Sequence, residues 1–146
     1  KEADGSLRPR RARPNHNDWP TFITECGVSE TPRRLEVDAR WWIDSSNGDV
    51  KLVLLLFVSV KTKTIRIELW KQAMVENPQR TRTNDEDEVI RPTLKRVINI
   101  TPESVTGAPL KLNFRDLFLR KPKKDRGEGN YVITEPDLRS YYEAIW

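Results

Sequence analysis

Residues 21–28 alternate between hydrophobic and polar side chains with the two-residue period of a β-strand. Phe22 and Cys26 share one face, and Ile23 and Glu25 share the other. A carboxylate on a strand that packs into a core costs free energy unless it has a partner. The pattern therefore predicts a strand over 21–28 and marks Glu25 as a residue that needs an explanation.

A continuous hydrophobic run over 50–60 predicts a second strand. Val50 and Leu52 begin one apolar face, and Val53 and Leu55 lie on the other. Because both faces are apolar, we expect this strand at the centre of a sheet, with structure packed above and below it.

Residues 64–70 alternate again after a short turn. Ile65 and Ile67 are expected to point inward, and Arg66 and Glu68 outward. This pattern predicts the half-buried partner strand of a β-hairpin.

The connection between the first two strands has the pattern of an amphipathic helix. Thr31 suits the N-cap and Pro32 the first helical position. An apolar stripe follows at helical spacing, formed by Leu35, Ala39, Trp42 and Ile43. A short helical connection of this kind predicts a parallel strand pair with a right-handed crossover.

The second half of the chain predicts loops, a further strand and a closing helix. We expect an acidic loop over 75–92, a strand at 94–100 and a basic loop over 120–130. In the closing helix, Thr134 is the expected N-cap, with Asp137 three residues on. Its apolar stripe consists of Leu138, Tyr141, Tyr142 and Ile145.

The length of 146 residues predicts a single soluble domain. Hydrophobic residues make up 36% and charged residues 33%, so the core must be concentrated in the few elements above. One cysteine cannot form an internal disulfide, and the longest apolar run is too short to cross a bilayer. We therefore expect an intracellular protein, nuclear or cytoplasmic, without a membrane partner. Because the sequence begins with Lys1 and not with Met, we expect it to belong to a larger multidomain chain. The alternative is a homodimer.

The net charge of +4 and the isoelectric point near 9.3 are compatible with a polyanion partner. Arg8, Arg10 and Arg11 lie close together, and 120–130 is a second basic segment. Such segments are suited to a phosphate backbone, which needs several cations but no base readout. The alternative is that both are ordinary solvated loops.

Several chemistries are excluded by missing motifs. The chain has no glycine-rich phosphate loop and no Cys/His set for zinc. His16 lies in a polar stretch, which is typical of a surface histidine. Cys26 shares a strand face with Phe22, so we expect a small buried residue rather than a nucleophile. Trp42 belongs to the helix stripe, which favours core packing over base stacking.

Asp4 and Glu25 form a candidate metal site. A short strand is expected near Ser6, and if it pairs with 21–28, the two carboxylates converge. Two oxygen ligands from adjacent strands suit Mg²⁺, which keeps its other positions for water and phosphate. The alternative is that Asp4 belongs to a loop and that an arginine of the following helix neutralises Glu25.

An ordered set of motifs resembles the PD-(D/E)XK nuclease superfamily. It begins with Ala3-Asp4, continues with Glu25-Cys26-Gly27, and includes the helix and the hairpin that follow, over about residues 1–119. The chain is most similar to Uma2-type domains and to related fungal proteins. The resemblance implies an α/β fold with a restriction-endonuclease-like mixed β-sheet, a crossover helix and a C-terminal helix. It also implies an N-terminal helix, which we expect this chain to lack.

By that resemblance, Asp4 and Glu25 would hold Mg²⁺ or Mn²⁺, and the metal would activate water against a DNA phosphodiester. Gly27 departs from the pattern, because the family has a lysine there that supports the attacking water and the phosphate charge. Glycine does neither.

The following helix offers arginines in place of that lysine. Arginine binds phosphate bidentately but is a poor proton acceptor, because it stays charged. We therefore expect Arg40 to complete the catalytic set and Arg33 and Arg34 to contact the nucleic acid. The alternative is a catalytically degenerate domain that binds nucleic acid or protein.

Overall fold

The computed structural model describes residues 1–29, 32–83 and 85–146. Its strands are β1 (Gly5–Leu7), β2 (Phe22–Val28), β3 (Leu52–Ser59), β4 (Thr64–Glu76), β5 (Glu88–Ile100), β6 (Val105–Thr106), β7 (Leu110–Leu112) and β8 (Tyr131–Ile133). Its helices are α1 (Pro32–Ser45), α2 (Phe114–Phe118) and α3 (Glu135–Ile145), with a 3-10 turn at Lys124–Arg126. The expected N-cap Thr31 lies outside the described residues.

Six of these strands form one sheet in the order β1-β2-β3-β4-β5-β6, and β7 pairs with β8 in a separate sheet. β2 and β3 are parallel, because α1 returns the chain before the second of them begins. The other neighbouring strands are antiparallel. The predicted mixed α/β fold and parallel pair are therefore confirmed. β3 and β4 are central, whereas β2 lies one strand in from the edge.

Each face of the sheet carries a hydrophobic layer. On one face, here called the α1 face, the predicted stripe of α1 packs against Ile23, Val53, Leu55 and Trp70. On the other, called the α3 face, α2 and α3 pack through Leu117, Leu138 and Tyr142. The two-sided burial predicted for β3 is confirmed. Val50 precedes β3 and packs in the α1-face layer, rather than with Leu52 as the alternation predicts.

Glu68 and Cys26 in the central sheet differ in burial from the sequence prediction. Glu68 is fully buried, because α1 covers the face of β4 that alternation assigned to solvent. Cys26 is exposed, because the α3-face layer ends before this part of β2, where Val28 is also 55% exposed.

β4 and β5 are longer than the sequence predicts. β4 runs to Glu76 and β5 begins at Glu88, so the acidic loop spans 77–87 rather than 75–92. Beyond Trp70, the last residue of β4 that pairs with β3, the two strands continue as a ribbon. The mixed polar composition of this ribbon resembles that of a loop, because it does not pack into either core layer.

α3 closes the α3 face. The predicted capping box is present, since the Thr134 side chain accepts from the Asp137 backbone and Asp137 accepts from the Thr134 backbone. Leu138 and Tyr142 are buried, but Tyr141 and Ile145 of the predicted stripe are exposed. Among the described residues, no helix has the length and hydrophobicity needed to cross a membrane.

Candidate functional site

β1 and β2 bring Asp4 and Glu25 together. The strands are antiparallel with Gly5 opposite Thr24, so Asp4 stands beside Glu25 at the next register position. Asp4 Oδ2 accepts a hydrogen bond from the backbone N–H of Cys26 at 2.8 Å. The two carboxylates are therefore neighbours, as expected, and are called the acid pair below.

The surroundings of Glu25 disfavour its negative charge. The residue is 6% exposed, and its Oε1 accepts a hydrogen bond from Trp42 Nε1 at 2.9 Å. Burial is the largest cause that raises the pKa of Glu25 above its ordinary value, and the charges of Asp4 and Asp38 add to it. The bond from Trp42 acts in the opposite direction. Glu25 therefore keeps its proton to a higher pH than an exposed glutamate does.

Asp38 is a third carboxylate near Glu25, and the sequence patterns above do not single it out. It lies on α1 one turn before Trp42, and therefore on the same side of the helix. Its carboxylate pairs with the ammonium of Lys1, which also lies 5.3 Å from the centre of the Trp41 ring. The four-residue spacing from Trp42 is the signal that would have identified it.

Three tryptophans pack beside the acid pair. Trp42 is buried, and its ring lies edge-on to those of Trp19 and Trp41, with centroids 6.1 and 5.0 Å away. The predicted core role of Trp42 is confirmed, and the residue also donates the hydrogen bond to Glu25. Trp41 is 39% exposed and forms the outer side of the cluster.

The three arginines of α1 lie in different surroundings. Arg33 and Arg34 are exposed in the first turn. Arg40 lies over Trp70, 5.4 Å from the ring centroid, and not beside Glu25. The groups in the described chain that shift the pKa of Glu25 include no arginine.

These residues fit a hydrolytic metal centre poorly. In the described part of the chain, no three His, Cys, Asp or Glu side chains form a metal-binding group. Both acids already accept protein hydrogen bonds, and burial raises the pKa of Glu25 against the ionised form that a metal requires. Gly27, opposite Phe57 in β3, supplies no cation. Among the described residues, the acid pair therefore has hydrogen-bond partners but no third metal ligand.

A cleft on the surface brings the two predicted basic segments together. A cleft of about 570 Å³ is lined by Arg8, Arg10, Arg11, Leu7, Phe118 and Arg120. We call it the basic cleft. Arg10 and Arg11 are exposed, whereas Arg8 is half-buried and donates to the backbone oxygens of Asn15 and His16. His16 is on the surface, as predicted.

Arg120 is fixed at the edge of the cleft by a two-bond ion pair. Its Nη1 and Nη2 each donate to one carboxylate oxygen of Glu128 at 2.7 Å. The bond from Arg120 is the main cause that lowers the pKa of Glu128 to about 2, and the Lys123 backbone N–H contributes further. The basic segment 120–130 is thus shaped around Glu128.

The acid pair and the basic cleft lie on opposite faces of the sheet. Glu25 faces α1 through its bond to Trp42. The cleft includes Phe118, which packs with the α3-face layer, and Leu7, whose partner Phe22 packs with the same layer. They are therefore two separate sites.

Comparisons with known proteins gave no match, so a function is inferred below from this geometry alone. No protein-family model matches the chain, and neither a curated protein nor a solved structure matches it.

Proposed function

We propose that the protein binds a nucleic-acid strand through the basic cleft, as a PD-(D/E)XK-like module whose acid pair no longer cleaves phosphodiesters. The observation that carries this proposal is the cleft itself. Arg8, Arg10 and Arg11 line it together with Arg120, although more than a hundred residues separate these segments in the sequence.

The chemistry of the cleft supports a phosphate ligand. Exposed arginines present planar, permanently charged donor groups that pair with phosphate oxygens. The hydrogen bonds of Arg8 to backbone oxygens and of Arg120 to Glu128 fix the two ends of the cleft. Arg10 and Arg11 line the same cleft, are exposed, and would carry the phosphate contacts.

The state of the acid pair supports the loss of hydrolysis. Asp4 accepts from Cys26 and Glu25 accepts from Trp42, so both acids have structural partners. Gly27 cannot hold a phosphate or an attacking water, and Arg40 lies over Trp70. Binding through the cleft requires none of these groups.

Salt-dependent binding tests the first half of the proposal. Affinity for a labelled oligonucleotide would be measured between about 50 and 200 mM salt, because the slope of log affinity against log salt reports the number of phosphate contacts. We expect Arg10→Ala combined with Arg11→Ala to weaken binding and to reduce the salt slope by about 2, since each phosphate contact contributes about 1.

The matched control is Arg33→Ala combined with Arg34→Ala, which removes the same charge from α1. If both double variants lose affinity equally, the cleft is not the binding surface. Unchanged binding by the Arg10 and Arg11 variant would have the same consequence.

A second candidate function is metal-dependent DNA cleavage, which the adjacency of Asp4 and Glu25 favours. It is tested by incubating plasmid with the protein and Mg²⁺ or Mn²⁺, beside Glu25→Ala. We expect no cleavage by either protein. Nicking by the native protein that disappears in Glu25→Ala would establish the nuclease and overturn the degenerate assignment.

A further inference from the structure

A second depression adjoins the basic cleft at Phe118 and Arg120, which line both. It measures about 430 Å³, and its lining also includes Phe114, Glu128 and Tyr131. We call the two adjoining depressions the groove; its lining is basic at the end near β1 and aromatic at the end near β8.

The aromatic end of the groove contains an exposed tyrosine. Tyr131 is 51% exposed, although it is a large ring on a short strand. Phe118 lies 6.5 Å from it, and Phe114 lies 4.6 Å from Phe118, so three rings follow one another from the core to the surface. Arg120 stacks over Phe114 at 5.0 Å.

The carboxylate in the groove does not oppose an anionic ligand. Glu128 is ionised at neutral pH, because its hydrogen bonds lower its pKa to about 2. Its charge is compensated by Arg120 in the two-bond pair. The lining of the aromatic end is therefore close to neutral, and the positive charge of the groove's lining lies at Arg8, Arg10 and Arg11.

We propose that this groove binds single-stranded nucleic acid, with phosphates along Arg10 and Arg11 and a base stacked on Tyr131. The inference rests on the proposed function and names its substrate class. Arginines beside an exposed aromatic ring are the two elements of sequence-tolerant single-strand binding. A duplex offers phosphates but keeps its bases stacked on each other, so it would use the basic end alone.

The test compares strand types and a pair of tyrosine variants by fluorescence anisotropy. The probes are a labelled oligothymidine of about twelve nucleotides, within the range of such binding sites, and a duplex of equal length. We expect the single strand to bind more tightly. Tyr131→Ala should weaken single-strand binding about tenfold and leave duplex binding unchanged, because a stacked base contributes on that scale.

Two further variants separate stacking from unfolding. Tyr131→Phe keeps the ring and should restore single-strand affinity, and Tyr141→Ala removes an equally exposed tyrosine of α3 that lines neither cleft. Equal affinity for both strand types, or an unchanged affinity in Tyr131→Ala, overturns the single-strand inference while leaving cleft binding intact. Failure of both probes to bind at low salt overturns the proposed function itself.

Discussion

Glu25 and Glu68 are two buried glutamates on the α1 face that differ in their charged neighbours. Leu55 of β3 pairs with both, so they lie on either side of one strand. Each accepts a hydrogen bond of 2.9 Å from an indole, Glu25 from Trp42 and Glu68 from Trp70. Up to this point the two environments are the same.

Their charge balance is opposite. Glu68 also accepts from Arg66 Nε at 2.8 Å, so its negative charge has a cationic partner. Among the described residues, the charges that influence Glu25 are those of Asp4 and Asp38, and both charges raise its pKa. Removing the partner of a buried ion pair destabilises a fold, because it leaves an uncompensated charge. A buried carboxylate beside further carboxylates is already in that position, and its pKa is raised. The comparison separates Glu68, a buried carboxylate with a cationic partner, from Glu25, whose charged neighbours are carboxylates.

The largest expected effect comes from replacing Glu68. Glu68→Gln keeps an oxygen for Trp70 but turns an amide donor toward the Nε–H of Arg66. We expect a loss of about 2 kcal/mol in the free energy of unfolding at pH 7, the scale of a charge-assisted hydrogen bond. Urea denaturation measures it. A loss below about 0.5 kcal/mol would show that the Arg66 pair does not distinguish the two glutamates.

The same substitution at Glu25 should act in the opposite direction and be smaller. Because the pKa of Glu25 is raised in the folded protein, folding is favoured by the protonated form. The native protein therefore loses stability as the pH rises from below the ordinary glutamate pKa through the raised value. The Glu25→Gln variant has no ionisable group at this position and does not lose this stability. It should therefore gain stability relative to the native protein between pH 4 and pH 7.

Urea denaturation of both proteins at the two pH values isolates this contribution, since every other titrating group is common to them. A difference that shrinks on going to pH 7 would mean that the charge of Glu25 is compensated, and the comparison with Glu68 would fail.

The smallest expected effect comes from Arg40. It contacts Trp70, the indole that donates to Glu68. Arg40→Ala should therefore lower the free energy of unfolding by about 0.5–1 kcal/mol, the scale of an exposed cation–π contact. The pKa of Glu25, followed by NMR of its carboxyl carbon, should not change. A rise in that pKa would assign Arg40 to the acid pair. Arg33→Ala is the control for loss of a positive charge from α1.

The sequence patterns predict the local elements of this fold well. β2, α1, β3 and the capped α3 all follow from residues close together in the chain, such as the Thr134 and Asp137 capping box. The neighbourhood of Asp4 and Glu25 also follows, because a short antiparallel pair places them side by side.

The sequence patterns fail where burial or contact depends on residues that are far apart in the sequence. Alternation assigns Glu68 to solvent, because nothing near it shows that α1 will cover β4. Cys26 is predicted to be buried but is exposed, because a strand pattern does not show where the covering layer ends. The basic cleft combines residues 8–12 and 118–120, and no local pattern indicates that these two segments meet.

The ribbon of β4 and β5 beyond Trp70 has a consequence for the dynamics of the molecule. Its residues, from Lys71 to Glu76 and from Glu88 to Thr93, pair with each other and, within the described chain, with no third strand. A two-stranded ribbon is only marginally stable by itself. We therefore expect it to open by local unfolding while the central sheet stays intact, and its backbone amides to exchange their hydrogens with solvent before those of β3 do.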